Sequence, residues 1–413
     1  EIMPSLVGSE MCIRDRATTL AERMSKFSGS PTSALIAKVA ELKRQGKDII
    51  SLNVGEPDFG TPDYIKVAGM KAIADNFTKY TPGNGILELR QAIVKKLKED
   101  NGLDYTVNEV TTAVGAKQAI ASAMMVIAGP GDEVLLPIPC WVSYTEMIRL
   151  AGATPVFVPV RQDNYELDLD AIRAAITPRT KAIVICTPNN PTGAVYSEES
   201  LRELADLAVK HDFFIVADEI YEKMVYDGAK HFSVASISRE VKDRTVTVNG
   251  FSKAYAMTGW RIGYAAARAD VIKGIMAVQS QTTSATSAIS QKAALAALQG
   301  SQHDMQVMVE EFKRRKDYVV QRLNAIEGIT CPDVKGAFYV YPDVQPYLGK
   351  RFGDKMIENA VDLCQYLLDE ALISTVPGEA YNVPGKIRIS YSNSMENLEK
   401  ALDRLEHALA QLK

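Results

Sequence analysis

The chain has few of the residues that build metal and disulfide sites. Its four histidines (His211, His231, His303, His407) show neither zinc-ligand spacing nor an H-E-x-x-H pattern, so metal catalysis is not expected. Its five cysteines (Cys12, Cys140, Cys186, Cys331, Cys364) are scattered without a C-x-x-C pair, which fits a reducing compartment rather than a disulfide framework. No apolar run reaches the roughly 18 residues of a membrane helix, so no membrane partner is expected and the cytoplasm is the expected location. Net charge is −4 with no run of five like charges, which leaves neither a nucleic-acid footprint nor a charged disordered tail. No internal repeat or low-complexity segment occurs.

With 413 residues and 46% hydrophobic side chains, the chain can bury a large core and is expected to divide into two domains. Residues 1–16 lack periodicity, turn logic and a secretory pattern, and read as a non-native leader outside the fold. From Asp58 to about Gln302, short apolar runs alternate with amphipathic helical stretches, the pattern of parallel βαβ units. Strands are expected at Val110–Val114, Glu133–Pro137, Thr154–Val160, Thr180–Cys186, Phe213–Ala217 and Thr245–Val248, with Gly115 as a turn and Ala116–Ile127 as a helix. These runs are apolar nearly throughout, as when both sheet faces are covered. Beyond Gln302 come a long charged helix (Asp304–Ile326), a β-rich piece (Gly336–Tyr341), further helices and a strand at Ile387-Arg388-Ile389, read as a smaller α+β domain over 303–413.

The chemistry-bearing residues fall just after the apolar runs. They are Gly115-Ala116-Lys117, Asn189-Asn190-Pro191-Thr192-Gly193, Asp218-Glu219-Ile220-Tyr221 and Ser252-Lys253, with Arg261 eight positions beyond Lys253. Ligands of open α/β sheets bind at the carboxyl ends of strands, so these residues should converge. A lysine in water, with a pKa of about 10.4, is a poor nucleophile at neutral pH. Covalent work therefore needs Lys253 to be buried or set beside another cation, and Arg261 could serve there while gripping a phosphate. The helix opened by Gly115 offers the Ala116 and Lys117 amides to an anion. Taken singly, Asp218 reads as a helix cap, Asn-Pro-Thr-Gly as a turn and Trp141 as core packing. Arg388, in an alternating strand, would be a buried charge that needs a partner.

In their order, these motifs, with Lys386-Ile387-Arg388-Ile389-Ser390-Tyr391, resemble the class I/II aminotransferases, the pyridoxal-phosphate enzymes of fold type I, from about Ala17 to the C-terminus. The resemblance implies a mostly parallel central sheet in a large pyridoxal-phosphate-binding domain over 62–302. It also implies that residues 17–61 return to the small domain. Lys253 would anchor the cofactor and shuttle the substrate's α-proton, while Asp218 would pair with the protonated ring nitrogen. Tyr221 and Asn190 would bond the ring oxygen, and Trp141 would stack on the ring. Ala116, Lys117, Ser252 and Arg261 would cradle the phosphate, and Tyr80 would reach the phosphate of a neighbouring subunit, making the active unit a homodimer with shared sites. Arg388 and the Gly55 amide would bind the α-carboxylate. Where relatives often carry a tyrosine, this chain has Cys140.

Within the family the chain is most similar to bacterial aspartate aminotransferases, some of which also accept prephenate. Lys117, assisted by Thr32, would face the substrate's side-chain carboxylate, and such a charge-assisted bond is worth about 1.5–3 kcal/mol. The expected reaction is ping-pong transfer between aspartate or glutamate and 2-oxoglutarate or oxaloacetate. A prephenate or aromatic aminotransferase and a β-lyase are the alternatives on the same scaffold. A transcription regulator would need a basic winged-helix module, and no segment before Ser51 is long or basic enough.

Overall fold

A computed structural model describes Leu20 and residues 31–413. The leader of residues 1–16, Cys12 and the side chain of Thr32 lie outside the described residues, although the Thr32 backbone belongs to helix α1 (Pro31–Arg44). The chain continues through β1 (Ile50–Ser51), α2 (Asp63–Ala74), α3 (Leu87–Asn101), β2 (Val110–Ala113) and α4 (Gly115–Ile127). Six further strands follow: β3 (Glu133–Ile138), β4 (Thr154–Pro159), β5 (Thr180–Cys186), β6 (Phe214–Asp218), β7 (Thr245–Gly250) and β8 (Gly263–Ala266).

Strands β2 to β8 form one seven-stranded sheet in the order β2-β8-β7-β6-β5-β3-β4. Strand β8 runs antiparallel to both of its neighbours, and the remaining pairs are parallel. The expected strands lie within one or two residues of the observed ones. Strand β8, a Gly-Tyr-Ala-Ala segment, was not anticipated, because it is too short for an apolar run and carries no alternation. It inserts between β2 and β7 and so brings the start of α4 beside the segment that follows β7.

Register determines which residues meet. Cys186 pairs with Asp218 across β5 and β6, and Asp218 pairs with Val248 across β6 and β7, so the carboxyl ends of three strands lie level. Gly263 lies opposite both Ala113 and Gly250. A Cβ at Gly263 would stand 2.7 Å from the Ala116 nitrogen, so only glycine allows α4 to start this close to the sheet.

After the 23-residue helix His303–Ala325, the C-terminal part builds a small sheet in which Ile387–Ser390 lies between Val376–Pro377 and Tyr339–Val340, antiparallel to both. Ile387 and Ile389 enter the core, and strand alternation turns Arg388 to the other face. Strand β1 pairs in parallel with Ile373–Ser374, and the Ser390 amide donates to the Leu52 carbonyl at 2.8 Å. These bonds carry the Asn53–Glu56 segment over the carboxyl edge of the large sheet. No helix among the described residues is long and apolar enough to cross a membrane.

Candidate active site

The two sheets meet around a cavity of about 410 Å³ lined by Gly55, Ala116, Lys117, Trp141, Asn190, Asp218, Tyr221, Ser252, Lys253, Arg261 and Arg388. Sequence reasoning had picked out every one of these. Tyr80 lies elsewhere, 95% exposed, beside a second hollow between Thr78–Thr81 and Ala285–Ile289. Cys140 is buried and does not reach the cavity. Sequence reasoning missed Tyr144, Tyr339 and Glu56, which also line it.

Lys253 follows β7 in a turn whose Ala256 and Arg261 have positive φ, a conformation that non-glycine residues seldom adopt. The Thr61 hydroxyl holds this turn by donating to the Ala256 carbonyl at 2.7 Å. The Lys253 ammonium donates to the Gly55 carbonyl. Burial brings the amine down from 10.5 to about 8, with Glu56 and Asp218 opposing the change and Arg388 and Arg261 reinforcing it. The group is therefore much nearer its neutral, nucleophilic form than a solvated lysine.

Asp218 ends β6 and is 3% exposed. Burial pushes its carboxyl up to about 6, against the opposing pull of the Tyr144 hydroxyl, the Ile220 amide and Lys253. Tyr144 donates to Oδ2 at 2.6 Å and Ile220 N to Oδ1 at 3.3 Å. A cation placed next to this carboxyl would bring it back to the ionised form. The Tyr221 hydroxyl lies 2.9 Å from that of Tyr339, and Trp141 packs edge-to-face on Tyr144 with ring centroids 5.3 Å apart.

Arg388 is 3% exposed, and among the described residues no carboxylate pairs with it. Its Nη1 donates to Asn190 Oδ1 at 3.1 Å and its Nη2 to the Asn53 carbonyl at 2.7 Å, while its buried Nε has no partner among the described residues. The guanidinium also lies over the Tyr339 ring at 4.5 Å. The internal Arg–Asp bridge that would explain a buried arginine without a ligand is absent among these residues. A buried cation left uncompensated is costly, so the position calls for an incoming anion.

A second anion position lies at the start of α4, whose N-cap residue Val114 provides no side-chain cap for the first-turn amides. Arg261 donates there to the Val114 carbonyl at 3.3 Å and to the Thr258 carbonyl at 3.0 Å. A Cβ on Gly115 would come within 2.5 Å of Arg261 Nη2, so glycine is what lets the guanidinium reach this end of the helix. Lys117 stands at the cavity mouth with Nζ 4.9 Å from the centre of the Trp141 ring. Partial burial and then Arg261 lower its pKa.

The donor set thus contains a reactive amine, a buried carboxyl, two unneutralised guanidiniums and several phenols. That set fits an aldehyde-bearing, ring-nitrogen cofactor with a phosphate tail and, beside it, a carboxylate substrate.

Residues 47–405 match the family profile described as aminotransferase class I and II. The chain is 44% identical over 396 residues to a probable aspartate/prephenate aminotransferase of Aquifex aeolicus, covering 95% of this chain and 99% of that one. Its fold matches the crystal structure of the Rhizobium meliloti aspartate aminotransferase with a TM-score of 0.92 at 42% identity, covering 96% of this chain and 100% of that one. It also matches the Thermus thermophilus aspartate aminotransferase with maleate, with a TM-score of 0.90 at 43% identity, covering 95% and 100%.

Proposed function

The chain belongs to the class I and II aminotransferases, and on that premise we propose that its cavity binds pyridoxal 5′-phosphate and transfers an amino group between aspartate or glutamate and 2-oxoglutarate or oxaloacetate. The observation that carries this reading is Arg388, a buried guanidinium that no carboxylate neutralises among the described residues, sharing one cavity with Lys253 and Asp218.

Bound there, pyridoxal 5′-phosphate supplies an electrophilic aldehyde and a pyridinium ring that draws charge from the substrate's α-carbon. Arg261, Ser252 and the Ala116 and Lys117 amides would hold the phosphate. Asp218 is the carboxylate available to keep a proton on the ring nitrogen, and Tyr144 fixes its orientation. Tyr221 and Asn190 are the donors available to the ring oxygen, and Trp141, which lines the cavity, would cover the ring. Lys253 anchors the cofactor and then takes the proton from the substrate's α-carbon. Arg388 orients the α-carboxylate with help from the Gly55 amide. Lys117 would meet the distal carboxylate and favour dicarboxylic substrates.

We read the active unit as a homodimer. Tyr80 is exposed and does not line its own cavity, and Val67, Met70 and Ile73 leave an exposed apolar row on α2. The Aquifex relative's name favours prephenate as a second acceptor.

Incubating the pure protein with aspartate, 2-oxoglutarate and pyridoxal phosphate tests the proposal: oxaloacetate and glutamate should form in equal amounts. Pyruvate and ammonia from cysteine-type substrates, with no oxaloacetate, would identify a β-lyase instead. A prephenate arm tests the second acceptor.

A further inference from the structure

The turn that carries Asp218 and Tyr221 has two faces. Asp218 and Tyr221 line the cavity, while Glu219 and Glu222, on the same five-residue stretch, lie in a buried cluster with His231 in which the three ligand-type atoms fall within 4.8 Å of one another. Alternation at the strand end and the three-residue step in the turn produce this division. Histidine spacing in the sequence gave no hint of the cluster, because both glutamates come from the turn and the histidine from the loop beyond it.

Both carboxylates of the cluster are already engaged by protein groups, so we read it as a charge network rather than a cation site. Lys96 of α3 pairs with Glu222, and Asn101 donates to the same carboxylate at 2.7 Å. Ser233 donates to Glu219 at 2.7 Å, and His231 Nε2 lies 3.1 Å from the same oxygen. Lys223 and Asp100 pair at 2.7 Å beside them. The other titratable groups facing the cluster are Tyr105, Tyr255 and Tyr264, phenols that burial holds above their ordinary range and therefore neutral.

The carboxylates Glu219, Glu222 and Asp100 thus face the ammoniums Lys96 and Lys223, and only a protonated His231 balances the set. The buried Nδ1 has no partner among the described residues. Leaving one donor unpaired costs less than leaving a buried carboxylate uncompensated, so charge balance decides. Burial opposes the charged ring, but Glu219 and then Glu222 outweigh it and raise the His231 pKa. Burial likewise works against ionised Glu222, but Lys96, His231 and Asn101 more than offset it and bring the group to about 2.

We propose that His231 is a positioning residue: its imidazolium clamps Glu219 behind the turn and so holds Asp218 and Tyr221 toward the cavity. The proposal rests on the roles given to those two residues above. It is tested in two independent ways.

In cofactor-free protein with labelled histidines, the His231 ring should give up its second proton at a higher pH than a free imidazole does, because Glu219 and Glu222 stand against it. A His231 ring that titrates at or below the free-imidazole value would overturn the proposal whatever the enzyme does. In the holoenzyme, H231Q should lower kcat by about ten- to a hundredfold, as expected for a misplaced group, and leave KM for aspartate nearly unchanged. E219Q should do the same, and the double variant should be no worse than either single one, because both act through one contact. Additive losses, or a change confined to melting temperature, would overturn it. A parent enzyme that forms no oxaloacetate would defeat the functional reading and leave the histidine titration to stand separately.

Discussion

Replacing Arg388 with lysine keeps one positive charge but removes the planar fork. In the native site Nη1 and Nη2 are held by Asn190 and Asn53, the ring of Tyr339 lies 4.5 Å away, and no carboxylate competes for the guanidinium among the described residues. A lysine ammonium could reach a substrate carboxylate at one oxygen only. The loss is then one charge-assisted hydrogen bond, about 1.5–3 kcal/mol, which corresponds to a fall of about 10- to 150-fold in kcat/KM. Folding stability should fall modestly, because lysine keeps the buried charge but lacks the planar fork that bonds both Asn190 Oδ1 and the Asn53 carbonyl. The assay is steady-state oxaloacetate formation from aspartate and 2-oxoglutarate, with urea unfolding of the same samples. A matched amine that lacks the α-carboxylate serves as control and should react equally with both proteins. If kcat/KM stays within twofold, or if the carboxylate-free amine suffers the same loss, Arg388 is not the carboxylate anchor.

Three further outcomes follow from the cavity. Pyridoxal phosphate capture by cofactor-free protein should rise with pH to a plateau with a midpoint near 8, where the Lys253 amine becomes neutral; a midpoint near 10.5 would mean the amine is solvated. For Asp218, the folded carboxyl stands at about 6 against 3.8 unfolded, so the folded chain binds more protons between those values and stability falls as pH rises through them. Cofactor-free D218N should therefore be more stable than the parent above pH 6, by on the order of 3 kcal/mol at most, and no more stable at pH 4, as read by urea unfolding. K117M should raise KM for aspartate by about tenfold or more while leaving KM for alanine unchanged, and equal effects on the two amino acids would remove Lys117 from the specificity pocket.

The sheet was legible because most of its strands are buried on both faces and read as continuous apolar runs, the partly exposed edge strand β4 excepted. Strand β8 was not, since the four residues Gly-Tyr-Ala-Ala soon after Trp260-Arg261 are too few to carry a periodic signal. The residues of the cavity were legible because most follow a strand in a recognisable local pattern and Arg388 stands out as a charge inside one. Tyr144 and Tyr339 were not, because a tyrosine in an amphipathic helix or in a short strand looks like core, and only three-dimensional packing brings their hydroxyls to Asp218 and Tyr221. The buried cluster behind the turn shows the same limit: Lys96, Glu219, Glu222 and His231 are ordinary charged residues until α3 is folded against the end of β6.

The most direct test of the account is to locate the cofactor covalently. Holoenzyme reconstituted with pyridoxal phosphate should show a visible absorption band that falls on adding aspartate and returns on adding 2-oxoglutarate. After borohydride reduction, mass-spectrometric peptide mapping should find the adduct on Lys253. A protein that stays colourless, or an adduct spread over surface lysines with none at Lys253, would contradict it.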